Sequence, residues 1–219
     1  MKTQQKNIVE LILTLFTVSE GTVKVFMVKK KDEPYKNYWV LPTENIKEDE
    51  EDSDVIKEIL LSVVGLEEIS YEQYNVYTKL DRNIDNRVIG INYVGLINST
   101  TVGIKQEETL YEYEWFDIDN LPKVGFDHLQ IVEESREYLK KKLVNSTVLK
   151  ELFPSDFTLP EIQRTYEQIL SKKFDRRNFR KKFINLGLIE DTGYKNESQT
   201  GRPAKLYSFK ENIKERDLF

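Results

Sequence analysis

Two short helices near the C-terminus carry their own start and stop signals, and these constrain the fold more than any other feature of the chain. Thr158-Leu-Pro-Glu161 is a capping box with proline in the first turn, and Ile162, Tyr166, Ile169 and Leu170 continue as one apolar stripe. That pattern predicts a helix over 159–170. Asp175 is a good N-cap for a second helix, which runs to Leu186 and stops at Gly187. At 100° per residue Phe179, Phe183 and Leu186 share one face, while Arg177, Arg180 and Lys181 lie on the other with Asn178 and Lys182 on its flank. Leu188 to Asp191 and Ala204 to Phe209 then read as a hairpin whose long loop ends Gln199-Thr-Gly-Arg-Pro203. Helix, turn, basic helix and hairpin is the order of a winged helix-turn-helix.

The charge is distributed to match. Residues 1–150 hold 19 Lys and Arg against 27 Asp and Glu, whereas 151–219 hold 14 against 11, so a net −5 conceals halves of −8 and +3. Lys172 to Lys182 (KKFDRRNFRKK) concentrates seven bases and one acid. A solvated basic face explains such a cluster by itself, but its place on the second helix of a winged motif favours DNA. The residues expected to reach base edges or phosphates are Arg176, Arg177, Asn178, Arg180, Lys181 and Lys182, with Arg202 on the wing suited to a phosphate or the minor groove.

The first half reads as mixed α/β. Ile8 to Phe16 and Thr22 to Val28 form a hairpin around Ser19-Glu20-Gly21, and Tyr38 to Leu41 is a short strand ended by Pro42. Val55, Ile56, Ile59, Leu60, Val63 and Val64 mark one face of a helix closed by Gly65. Glu72 to Lys79, Val88 to Ile97 and Tyr111 to Asp117 are further strands, and Phe126 to Val144 is a second amphipathic helix with bases in its last turns. The expected division is 1–147 and 148–219, with the break inside Asn145 to Pro154.

Composition excludes several function classes. The chain has no cysteine, so no disulfide, thiol nucleophile or Cys-ligated metal is available, and one histidine, His128, rules out sites that need two. No apolar run approaches ~18 residues and the start lacks a leader pattern, so the expectation is a cytoplasmic protein, neither exported nor membrane-bound.

Taken in order, Tyr38-Trp-Val-Leu-Pro42, Asp81-Arg82 with Arg87-Val-Ile, Trp115-Phe-Asp117, Leu121-Pro122, Phe126-Asp-His128, Phe157-Thr-Leu159, Arg177-Asn-Phe-Arg-Lys181 and Gly201-Arg-Pro-Ala204 resemble the Nudix-related transcriptional regulators of bacteria, the NrtR type. The resemblance spans nearly every segment. It implies an α+β chain: a Nudix-like α/β/α sandwich with a mixed sheet, then a winged helix. It also implies a homodimer that binds double-stranded operator DNA under the control of a small effector. In relatives that effector is ADP-ribose or a sugar such as arabinose.

A working Nudix box places metal-binding carboxylates at i, i+3 and i+4 of one helix. Anchored on Gly65-Leu66, those positions read Ile59, Ser62 and Val63, so no catalytic residue, metal or cofactor is expected, and a Nudix-type hydrolase of nucleoside diphosphate derivatives is the alternative. Glu51, Asp54 and Glu58 share a stripe that suits either a cation or the helix dipole. The acidic run Glu48 to Asp54 should repel a diphosphate, which speaks against ADP-ribose. Arg82 and Arg87 are candidates to hold a phosphate or carboxylate, and Trp39, Tyr77 and Tyr93 to stack on a base or sugar, with core packing the competing role for the aromatics. His128 reads as a capping or hinge residue at a helix start.

Overall fold

The computed structural model describes residues 7–84, 86–98, 112–144, 152–153, 155–196 and 203–210. It divides into two compact units: one takes in the chain up to Phe16, Lys24–Ile97 and the stretch ending at Ser135, and the other takes in Thr17–Val23 and the chain from Arg136 on.

The first unit is built on a mixed sheet. Among the described residues its strands are β1 (Ile8–Ser19), β2 (Thr22–Lys29), β3 (Trp39–Val40), β4 (Thr43–Asn45), β5 (Ser70–Tyr77), β6 (Val88–Leu96) and β7 (Tyr113–Asp117), in the order β3-β2-β1-β6-β5 with β4 on β1 and β7 on β2. β1 and β6 run parallel from Ile8 opposite Val88 to Phe16 opposite Leu96, and the other pairings resolved are antiparallel. Side chains alternate across a strand, so Leu11, Leu13 and Leu15 face one way and pack with Val55, Ile56, Ile59, Leu60 and Val63 of α1 (Asp52–Val63). The opposite face meets α2 (His128–Val144): Thr14 Oγ1 donates to Asn92 Oδ1 at 2.9 Å, and Asn92 Nδ2 donates to Ser135 Oγ at 2.9 Å. Helix, sheet and helix therefore form three layers, as the α/β/α expectation required.

Several bounds differ from the sequence reading for local reasons. β4 follows Pro42 directly and was not anticipated, because three polar residues carry no apolar alternation; β1 supplies its pairing, with Ile12 opposite Thr43. α2 begins at His128, two residues late, since Phe126 holds φ +54°, outside the helical region. α1 begins earlier, at Asp52, where acids suit a first turn.

The second unit contains α3 (Leu159–Leu170), α4 (Arg176–Asn185), β8 (Ile189–Lys195) and β9 (Lys205–Phe209). The α3 capping box is complete: Glu161 N–H donates to Thr158 Oγ1 at 3.4 Å, and Thr158 N–H donates to Glu161 Oε2 at 2.6 Å. Tyr166 packs on Phe179 and Phe183, with ring centres 5.8 and 5.2 Å away, so the apolar faces of both helices meet in one core. Phe157 exchanges two backbone hydrogen bonds with Tyr207 of β9, at 3.0 and 2.8 Å, which adds a third edge to the wing. The β1–β2 turn also belongs here: Thr165 Oγ1 donates to Gly21 O at 3.3 Å, and Val23 N–H donates to Gln168 Oε1 at 2.7 Å. Gly21 is required at that turn, because it holds φ +75° and a Cβ would lie 2.9 Å from Glu161 Cα.

Candidate functional site

In the second unit, α4 separates two chemistries by helical spacing. Phe179 and Phe183 are buried, while Arg176, Arg177, Asn178, Arg180, Lys181 and Lys182 are all exposed. Asp175 caps the helix, its side chain accepting from Asn178 N–H at 2.9 Å. Among the described residues no ion pair neutralises Arg176, Arg177, Arg180 or Lys181, whereas Lys205 of β9 is paired with Asp191, which raises its pKa. The result is uncompensated positive potential on a rigid helix, the arrangement that a phosphate backbone requires. Arg202 lies outside the described residues.

The α3–α4 turn is fixed by one carboxylate. Glu167 accepts hydrogen bonds from Gln163 Nε2, Phe174 N–H and Lys173 Nζ at 2.8, 3.0 and 2.9 Å. Burial opposes its charge, but these donors outweigh it and hold the carboxyl down to about 2.

In the first unit, a cavity of about 510 Å³ opens between the end of β2, the C-terminal half of α1 and the start of α2. Lys29, Lys30 and Lys31 line one side, Glu58, Ile59, Ser62 and Val63 another, and Phe126 and His128 a third, with Glu10, Glu44, Asn83 and Asn86 at further positions. Its volume suits a small-molecule ligand. Ile59 and Val63 are 4% and 5% exposed and belong to the α1 core, so they present no oxygen to a cation, and Ser62 donates its hydroxyl to Ile59 O at 2.8 Å. Asp52 is taken by the Tyr93 hydroxyl at 2.5 Å. Among the described residues no group of three His, Asp or Glu side chains is placed to hold a metal, the stripe Glu51, Asp54 and Glu58 included.

The four expected ligand residues do not line this cavity. Arg82 is buried: its Nη1 donates to Glu10 Oε2 at 3.0 Å, and its Nε and Nη2 donate to the Asp127 carboxylate at 3.1 and 3.3 Å. Burial still pushes the Glu10 carboxyl above its ordinary value, against the pull of Arg82. Arg87 Nη1 donates to Thr78 O at 2.6 Å and to Lys79 O at 3.2 Å. Trp39 stacks edge-on against Phe116, and the Tyr77 hydroxyl donates to Glu134 at 2.7 Å, its own proton held above the usual phenol range by burial and by that carboxylate. These side chains build the fold. The acidic run 48–54 is likewise absent from the lining, but Glu10, Asp32, Glu44 and Glu58 are part of it beside Lys29, Lys30 and Lys31, and Lys29 pairs with Glu112 at 2.8 Å, so the wall carries both signs of charge.

His128 is the lining residue that the sequence reading assigned to structure alone. Its Nδ1 accepts Leu41 N–H at 3.0 Å, which is the structural role, yet the ring also faces the cavity. Burial, with Arg82 nearby, lowers its pKa to about 3, so the imidazole is neutral. Uniqueness was the signal that marked it; its neighbourhood lay in other segments.

Comparison with known proteins agrees with both units. Residues 149–209 match the NrtR DNA-binding winged helix domain. Over 201 residues, 90% of this chain and 80% of the relative, the sequence is 25% identical to the ADPR-responsive transcriptional repressor NtrR of Acinetobacter baylyi. The crystal structure of Shewanella oneidensis NrtR with a 27mer DNA superposes with a TM-score of 0.74 at 28% identity, covering 92% of this chain and 93% of that one. The NUDIX domain of the same protein with ADP ribose aligns at a TM-score of 0.54 and 23% identity, over 64% of this chain and 90% of that one, which supports the fold alone. An ADP-ribose pyrophosphatase of Methanocaldococcus jannaschii is 27% identical over 117 residues, 53% of this chain and 68% of that enzyme. The architecture is NrtR-like: a Nudix-like sandwich followed by a winged helix.

Proposed function

We propose that this NrtR-like chain is a bacterial transcriptional regulator, acting in the cytoplasm as a homodimer, that grips operator DNA through α4 and answers to a nucleotide effector of the ADP-ribose class. The observation that carries the reading is the exposed, unneutralised row Arg176, Arg177, Arg180 and Lys181 on a capped helix of a winged fold. Asn178, Lys182 and the wing residue Arg202 complete the set assigned to DNA, and residues 148–219 form the reading segment. Paired helices would meet half-sites about one helical turn apart. The effector would occupy the 510 Å³ cavity, whose wall offers Lys30 and Lys31 to its phosphates alongside Lys29, which also pairs with Glu112, and acids to its hydroxyls. Binding there changes DNA affinity only if the DNA-competent and incompetent arrangements differ in affinity for it.

The test is binding to promoter DNA from the protein's own gene neighbourhood at two salt concentrations, with and without ADP-ribose. We expect steep loss of affinity with salt, as counterion release dictates, and a further change on adding the nucleotide. Sequence-independent, salt-insensitive binding would overturn the assignment.

Hydrolysis is the second reading, favoured by the likeness to the pyrophosphatase. Since Ile59, Ser62 and Val63 stand at the expected carboxylate positions, the chain should not turn over ADP-ribose. Mg²⁺-dependent release of AMP would reverse that conclusion.

A further inference from the structure

His128 is 2% exposed and lies on the cavity wall, and one of its two ring nitrogens has an assigned partner. Leu41 N–H donates to Nδ1, so Nδ1 is the acceptor and the proton of the neutral ring sits on Nε2. No acceptor among the described residues meets that Nε2–H. A ring donor without a partner among the described residues, on the wall of a ligand-sized cavity, is open to an acceptor from outside the chain. The ring's place is over-determined. Phe126, also on the wall, holds φ +54° and packs its ring 4.7 Å from Tyr35 and 5.5 Å from His128, while Asp127 between them is held by Arg82. Such a conformation persists only where the surroundings enforce it.

We infer that His128 is a ligand-binding residue of the cavity, donating from Nε2–H to an oxygen of the bound nucleotide, a phosphate or ribose oxygen. This deepens the effector reading above and rests on it. A neutral donor selects its acceptor by geometry rather than by charge, so it complements the three lysines. Because His128 is also the first residue of α2, the contact acts on the opening turn of a helix that continues to Val144.

The chain contains one histidine, so a tag-free protein labelled with ¹⁵N-histidine gives one imidazole spectrum with no assignment problem. We expect the Nε2–H tautomer with no titration between pH 5 and 8, and a saturable shift of the Nε2–Hε2 signal on adding ADP-ribose, with the affinity that calorimetry reports. His128→Asn keeps an oxygen acceptor for Leu41 N–H and removes the Nε2 donor; it should bind ADP-ribose roughly tenfold more weakly, with its thermal midpoint reporting whether the fold is kept. His128→Gln, which returns a donor near Nε2, should recover part of the loss. ADP-ribose binding with an unmoved imidazole signal and an unaffected His128→Asn variant would overturn the role of His128 and leave the effector reading intact. Absence of ADP-ribose binding to the wild type would overturn both.

Discussion

Arg82 of the N-terminal unit is hidden and Arg180 of the C-terminal unit is displayed. Arg82, at 6% exposure, is shared between Glu10 and Asp127, whereas Arg180 is exposed with no acid paired to it among the described residues. The first is a tie between β1, the segment before β6 and the start of α2; the second is an unspent charge. A guanidinium fully engaged inside has little left to offer a ligand, and one without a partner outside does little for the fold. The difference separates structure from recognition without reference to residue type.

The largest test of that contrast is Arg82→Ala, which leaves two partly buried carboxylates without their partner and should cost about 3 kcal/mol in urea unfolding, the low end for a buried pair. A variant of wild-type stability would mean that Arg82 is not a tie at all. Gly90→Ala presses the same point more gently: its Cβ would fall 2.7 Å from Arg82 Nη2 and 2.8 Å from Ile12 Cδ1, and a loss of about 1–3 kcal/mol is expected. On the other side, Arg177→Ala or Lys181→Ala should leave unfolding unchanged while weakening operator binding by about 1–3 kcal/mol where a base is read. Contact with phosphate alone would lower affinity equally on every sequence and reduce the salt slope by about 1. Unaltered DNA binding in both would dissolve the contrast from the exposed side. The smallest effect is a pH signature. Glu167, depressed to about 2 from an ordinary value of 4.5, stabilises the α3–α4 turn fully above 4.5 and loses that contribution as pH falls toward 2. The gap in thermal midpoint between wild type and Glu167→Gln should therefore close over that window and stay constant from pH 5 to 8.

The same contrast explains what the sequence could disclose. α3 was readable to the residue because Thr158, Pro160 and Glu161 act within one turn, and the exposed face of α4 followed from a spacing of 100° per residue. Local rules stopped where partners are distant. Glu10 and Asp127 stand 72 and 45 residues from Arg82, so no local pattern marks its guanidinium as already occupied. The cavity gathers Lys29 to Lys31, the Ile59 and Val63 turn, Asn83 and Asn86, and Phe126 to His128 from separate stretches, and no spacing in one dimension describes it. β4 carries no local signal because its pairing is dictated by β1, with Ile12 opposite Thr43 and Glu10 opposite Asn45.

The β1–β2 turn has a wider consequence. Thr17–Val23 is counted with the C-terminal unit, and Gly21 and Val23 are backbone partners of Thr165 and Gln168. The polypeptide thus passes from one unit to the other and back twice before it finally settles in the second, and no single cut yields both whole. A fragment starting at residue 148 would lack two partners of α3. A graft made by one cut would therefore carry α3 without its turn, and a substitution at Gly21 is felt at Glu161 and Thr165 as much as in the β1–β2 hairpin.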